Sequence, residues 1–177
     1  MARTLYHIFP AELGWLGIAG TEGNISRLEL PMKDRTAAEE ALLGGISGDI
    51  VETEHDFSGE AERLAAYFEG ERVKFTCEVD ASSAGLFDIQ VWKTTREIGY
   101  GESRSYGWIA DHIGRPRAAR AVGQAMGRNP VPIIIPCHRV LRADGSIGGF
   151  GCGLEWKYRL LAMEGHDINR IKHASGD

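Results

Sequence analysis

Ser105-Tyr-Gly-Trp-Ile-Ala-Asp-His-Ile-Gly114, running on into Arg115-Pro-Arg-Ala-Ala-Arg-Ala-Val-Gly-Gln-Ala-Met-Gly127, is the stretch whose reading decides the fold. Ser105 stands before the first apolar position, where a side-chain oxygen caps a helix. Ile109, Ala110 and Ile113 share one face at helical spacing, and Gly114 supplies the stop. Pro116 suits the opening turn of a second helix, because an N–H has no intrahelical partner there. Ala119, Val122 and Met126 then carry the helical period on to Gly127. Two helices separated by a tight glycine-containing turn are the outline of a helix-turn-helix. The second helix has few side chains able to read base edges. Ala118, Ala119, Ala121 and Gly123 instead let the backbone approach a surface, as a narrow groove read by shape requires. Arg120 is the one long cation rising from this stripe. Taken alone, the stripe better suits packing against a neighbouring helix.

Upstream, Phe87, Val91 and Ile98 predict a further helix ending near Gly99, and the small polar run Asp80-Ala-Ser-Ser-Ala-Gly85 reads as a linker. The chain therefore divides, on this reading, into domains 1–84 and 85–177. In the first, Leu5–Phe9, Leu13–Ala19, Ile25–Leu30 and Val73–Val79 have the composition of strands. Thr36 with Glu39 forms a capping box for a helix running to Leu43 and stopped by Gly44-Gly45. A second helix carries Ala61, Leu64, Ala65 and Phe68 on one face and ends at Gly70. The expectation is an α/β N-terminal domain followed by a mainly α C-terminal domain.

The charge follows the same division. The whole chain of 177 residues carries a net charge of -5. Residues 1–85 hold 7 Lys+Arg against 16 Asp+Glu, whereas residues 86–177 hold 13 against 9. Polyanion binding, if any, belongs to the second half. With 43% hydrophobic residues the chain is globular, not disordered. No apolar run approaches the roughly 20 residues of a membrane span, and no secretory leader is evident; a cytoplasmic protein, or a nuclear one in a eukaryote, is implied. Cys77, Cys137 and Cys152 are too few and wrongly spaced for a disulfide framework, and with His7 and His55 they suggest no metal site. No cofactor is indicated.

The chemistry concentrates at Asn129-Pro-Val-Pro-Ile-Ile-Ile-Pro-Cys-His-Arg-Val140. Three prolines bracket a strand-like apolar run and stiffen it, so that the residues after Pro136 are held in place. Cys137 reacts as a thiolate and needs a base and a group to orient that base. His138 is the candidate base and Glu164, at the end of a helix over about 154–163, the candidate third member. On an extended strand adjacent side chains face opposite ways, so a bend or a bridging water is required between Cys137 and His138. A cysteine hydrolase would need an oxyanion hole, which nothing here specifies.

The segment strongly resembles the active-site signature of the O6-alkylguanine-DNA alkyltransferases, or methylated-DNA–protein-cysteine methyltransferases. The similarity runs from about Phe87 to Gly165 through Ser105-Tyr106, Arg117-Ala-Ala-Arg-Ala-Val-Gly, Asn129-Pro and Leu160-Leu-Ala-Met-Glu-Gly165. The resemblance implies a winged helix-turn-helix domain following a ribonuclease H-like one, and a monomer acting on double-stranded DNA through its minor groove. Ser105, Tyr106, Ala119, Arg120, Ala121 and Gly123 would meet the DNA. Arg120 would fill the gap left by an extruded O6-alkylguanine, and Tyr106 would turn the nucleotide and protonate the departing base. Cys137 would take the alkyl group once and irreversibly, its pKa lowered through His138, Glu164 and a water. Asn129 would tie the helix-turn-helix to the active-site segment. Met126 and Pro132 would line the pocket, and the carbonyls of Cys137 and Val140 would receive the guanine amino group. Phe150 stands where many relatives have Tyr, and Gly151 where Ser is common. A relative that only binds damage would replace the cysteine, which is present.

Overall fold

The computed structural model describes residues 3–171, and the chain divides into two compact units between Ser83 and Ala84. The first is a five-stranded sheet with two helices. Strands β1 (Thr4–Ala11), β2 (Gly14–Thr21) and β3 (Asn24–Met32) form an antiparallel meander, which β4 (Ile50–Glu52) and β5 (Glu78–Val79) extend to the order β4-β1-β2-β3-β5. Both added strands pair in parallel, β4 with β1 and β5 with β3. Leu16 through Gly20 are buried, so the central strand is covered on both faces. Helix α1 (Arg35–Leu43) seats Ala38 and Leu42 against Tyr6, Ile8 and Ala19. A Cβ at Gly17 would stand 3.0 Å from both Ile8 and Leu42, so the close helix–sheet approach depends on its absence.

Three expectations are corrected in this unit. The cap of α1 is Asp34, whose carboxylate accepts from the Ala37 N–H at 2.8 Å, while Thr36 lies inside the first turn. Glu39 faces Tyr6 and Arg35 and does not close a capping box. Of the stretch 73–79 only Glu78–Val79 pairs, and the short segment Ile50–Glu52 supplies a further strand. The second helix, α2 (Ser58–Phe68), buries Ala61, Leu64 and Phe68 along its inner face.

The second unit packs α3 (Leu86–Thr95), α4 (Tyr106–His112) and α5 (Ala119–Gly127) against one another. The Trp92 indole donates to the Ala125 carbonyl at 2.9 Å, and Asp88 takes a two-pronged ion pair from Arg128 at 2.7 and 2.8 Å. Ser105 caps α4, accepting from the Trp108 N–H at 3.0 Å. Helix α3 stops at Thr95, and Ile98 reaches the core from the following turn. Pro116 and Arg117 lie in the α4–α5 turn and not in the helix. Two short parallel strands, β6 (Arg104–Ser105) and β7 (Val140–Leu141), tie the start of α4 to the segment that follows Cys137, and α6 (Leu154–Met163) completes the unit.

The apolar run 131–135 is not a strand. Prolines at 130, 132 and 136 lack the donors a ladder needs. The chain turns instead, with Ile133 buried in the left-handed region at φ 74° and Pro132 bridged to Ile135. Cys137–Arg139 then forms a single 3-10 turn. The bend required between Cys137 and His138 is thus in the backbone itself, and the opposite-face argument for a strand does not apply.

Candidate active site

Cys137 lies at a cavity of about 570 Å³ bordered by Tyr106, Ala119, Arg120, Gly123, Gln124, Met126, Gly127, Arg142, Gly149, Phe150 and Gly151. That volume is more than a flat aromatic ring and its substituent need, so it admits both. Helix α5 provides the small residues, Arg120 and Met126; the loop before α6 provides the opposite wall. No carboxylate borders the cavity among the described residues.

The thiol is buried, and burial pushes its pKa up. Four influences oppose this: the Asn129 amide, which donates to Sγ at 3.0 Å, the Lys157 charge, and the backbone N–H groups of Cys137 and His138. Asn129 binds the Ile135 carbonyl at 2.9 Å with the same nitrogen and accepts from the Val131 N–H at 3.0 Å. It therefore locks the turn and the nucleophile together. Neither the His138 ring nor Glu164 is among the groups that lower the thiol in this state. Burial therefore favours the protonated thiol in this state.

Beneath the thiol is a buried ionic cluster. His138 Nε2 lies 2.7 Å from Glu164 Oε1. Arg139 grips the same carboxylate through Nε and Nη2, both at 2.9 Å, and donates Nη1 to the Ile98 carbonyl at 2.6 Å. The Gly101 N–H adds a contact to Glu164 at 3.2 Å. Burial alone would raise the Glu164 carboxyl, but His138 and Arg139 hold it well below the usual carboxylate range. Burial pushes the His138 ring down, against the pull of Glu164. A neutral imidazole facing a fixed carboxylate carries its proton on Nε2, which leaves Nδ1 as the basic nitrogen.

Lys157 is fully buried, donating to the Val140 carbonyl at 2.6 Å and the Gly149 carbonyl at 3.1 Å. Burial draws its pKa down to about 8. It joins the segment after Cys137 to the loop wall and places a cation 5.8 Å from the Tyr106 ring. The Tyr106 phenol is itself raised, by burial first and by Cys137 second.

Of the residues expected at the site, Tyr106, Ala119, Arg120, Gly123, Met126, Cys137, Phe150 and Gly151 border the cavity. His138 and Glu164 form the buried cluster, and Asn129 holds the thiol. Ser105 is occupied as a cap, Ala121 does not border the cavity, and Pro132 and Val140 are buried away from it. The Val140 carbonyl expected to meet a guanine amino group is engaged by Lys157. Arg139, Lys157, Gln124, Gly127, Arg142 and Gly149 are not singled out as site residues by the sequence, although Arg139 lies inside the active-site segment and Gly127 at the end of the second helix. A lysine in an amphipathic helix ordinarily reads as solvated.

Gly148 sets how Tyr106 sits. Its φ is 65°, and an added Cβ would stand 2.7 Å from the Tyr106 hydroxyl. Gly148→Ala costs roughly 1–3 kcal/mol of backbone strain and displaces the phenol. Alkyl transfer is expected to slow by about 100-fold, as a 1 Å misplacement does; a single-turnover rate equal to the parent's would remove Tyr106 positioning from the account.

A helical unit that sets a buried cysteine at a cavity able to admit a base is what the alkyl-acceptor domain of a DNA-repair methyltransferase requires. The family described as "6-O-methylguanine DNA methyltransferase, DNA binding domain" matches residues 86–166. A methylated-DNA–protein-cysteine methyltransferase of Mycolicibacterium paratuberculosis is 42% identical over 159 residues, covering 90% of this chain and 91% of that protein. One from Methanosarcina acetivorans is 40% identical over 160 residues, covering 90% and 97%. The crystal structure of Mycobacterium tuberculosis OGT in complex with DNA superposes with a TM-score of 0.75 at 39% identity, covering 94% of each chain. The chain belongs to the methylated-DNA–protein-cysteine methyltransferase family.

Proposed function

We propose that this protein repairs DNA by moving the alkyl group of O6-alkylguanine onto its own Cys137, once per molecule. The observation that carries this is Cys137 at a cavity able to admit a base, held by Asn129 and backed by the His138–Glu164–Arg139 cluster. The small-residue face of α5 enters the minor groove as part of a winged helix-turn-helix. Arg120 occupies the stack while the damaged base swings into the cavity, at a cost of a few kcal/mol in unstacking. The meander with β4 parallel to β1 supports a ribonuclease H-like reading of the first unit. A monomer suffices, since every named group is on one chain.

Once the base seals the pocket, the thiol proton passes to His138 Nδ1, directly or through one water. Sγ forms a bond to the alkyl carbon as the carbon–O6 bond breaks, and its electron pair stays on guanine. Tyr106 supplies a proton to the departing base. Glu164 keeps its charge throughout, so it orients and stabilises the imidazolium without taking the proton. The thioether left on Cys137 has no group nearby to hydrolyse it.

A duplex carrying a labelled O6-methyl group tests the stoichiometry: the label moves to protein up to about one equivalent and then stops. Continued turnover with release of a small methylated product would refute the reading. Arg120→Ala is expected to slow transfer from duplex at least about tenfold, the unstacking cost it offsets, while leaving reaction with the free base O6-methylguanine little changed. Equal losses on both substrates would place Arg120 elsewhere in the mechanism.

A further inference from the structure

Arg142 borders the same cavity as Cys137, yet no described carboxylate, carbonyl or ring pairs with its guanidinium. The backbone at this position is committed, its N–H to the Ser146 carbonyl at 2.9 Å and its carbonyl to the Gly145 N–H at 3.0 Å. The loop's own acid, Asp144, is turned to the Ser146 N–H at 2.9 Å. The side chain is therefore an anchored, exposed cation on the rim of a reactive pocket. Its charge reaches inward, for it lowers both the Tyr106 phenol and the buried Lys157 ammonium. Lys157 is already spent on two carbonyls. Arg120 is the cation attached to α5, on the side assigned to DNA, and Arg115 and Arg117 stand in the α4–α5 turn. With no acid among the described residues of the cavity wall, the Arg142 charge on its rim has no counter-charge there.

Resting on the alkyl-transfer reading above, we propose that Arg142 selects O6 adducts that carry a carboxylate, O6-carboxymethylguanine being the simplest. A guanidinium forms charge-assisted, paired hydrogen bonds to a carboxylate, stronger than those to a neutral amide of the same shape. The reaction balances as for methyl: Sγ bonds to the CH2 carbon, the CH2–O6 bond breaks with its pair on guanine, the thiol proton goes to His138, and Tyr106 protonates the base. The carboxylate remains on the protein as S-carboxymethylcysteine, facing Arg142. The glycines at 149 and 151 leave the wall low enough for the larger group.

The test compares three duplexes, bearing O6-methyl-, O6-carboxymethyl- and O6-carbamoylmethylguanine, with the full-length protein and with Arg142→Gln and Arg142→Glu. The carboxymethyl-to-carbamoylmethyl rate ratio is expected to fall about tenfold in Arg142→Gln, the size of one charge-assisted contact, and further in Arg142→Glu. An unchanged ratio overturns the proposal. Arg142→Gln slowing all three substrates by one factor also overturns it, because that is the behaviour of a phosphate contact. Absence of transfer from the methyl duplex by the parent protein is a separate failure, of the alkyl-transfer reading itself.

Discussion

Cys137→Ser takes up no methyl group from a duplex bearing O6-methylguanine, while the parent protein gains one methyl mass per molecule. The substitution is nearly isosteric, so the pocket, the Asn129 contact and the fold survive it. The difference is chemical. A buried thiol is already pushed up by its surroundings, and it is brought within reach of a neutral imidazole only because sulfur starts several pKa units below a serine hydroxyl. His138 cannot bridge the larger gap. Intact-protein mass spectrometry, followed by peptide mapping, decides the matter. Methyl found on Cys152 or Cys77 in the parent, or on the Ser variant at a comparable rate, would sink the assignment of the acceptor. A far-UV and near-UV spectrum matching the parent's establishes that the variant is folded.

The second large effect is on stability. Glu164→Gln removes the only carboxylate that holds Arg139 and His138 among the described residues, and leaves a buried guanidinium facing an amide. Breaking a buried pair from one side costs about 3–5 kcal/mol, which for a unit of this size lowers Tm by roughly 12 °C or more. The pH dependence has a definite sign. The folded carboxyl titrates well below its ordinary value, so its contribution is fully present above about pH 4.3, the unfolded value, and is lost as pH falls from there toward the folded pKa. Acid unfolding of the parent is therefore steeper through this range than that of Glu164→Gln. Identical acid-unfolding curves would show that the cluster adds nothing to stability. Arg139→Gln provides the complementary variant: it leaves the carboxylate on His138 and separates loss of packing from loss of the general base.

How much of this was legible beforehand depended on whether a residue's neighbours are local. The Ser105 cap, α6 and the strands β1 to β3 follow from spacing over a few residues, and the reading of the chain found them. Asp34 displaced Thr36 as a cap because both are competent and only the path of the entering chain chooses between them. The run 131–135 looked like a strand because β-branched residues favour one, but three prolines deny it a ladder, and burial then holds Ile133 in a conformation it would not choose. Cys137, His138 and Glu164 were named from their types and from family resemblance. Arg139 and Lys157 were not, since a long cation betrays a buried partner only once the distant carbonyl or carboxylate is beside it. Strand β4, Ile-Val-Glu, is too short to announce itself without β1.

The loop that closes the cavity differs sharply from one glycine to the next. At 148 the backbone is left-handed and the Tyr106 hydroxyl occupies the space a side chain would take. At 149 the backbone is not left-handed and an added Cβ meets nothing within 4 Å, while at 151 it meets only the Gly127 carbonyl at 3.5 Å. The wall therefore has one point fixed at 148, one tied through the Gly149 carbonyl to the Tyr106 hydroxyl at 3.5 Å and to Lys157 at 3.1 Å, and one adjustable point at 151. Lineages or engineers seeking a protein that accepts bulkier or narrower lesions can vary 151 apart from the phenol's alignment, and a library built at that site samples pocket width while leaving the contacts of the Gly149 carbonyl in place.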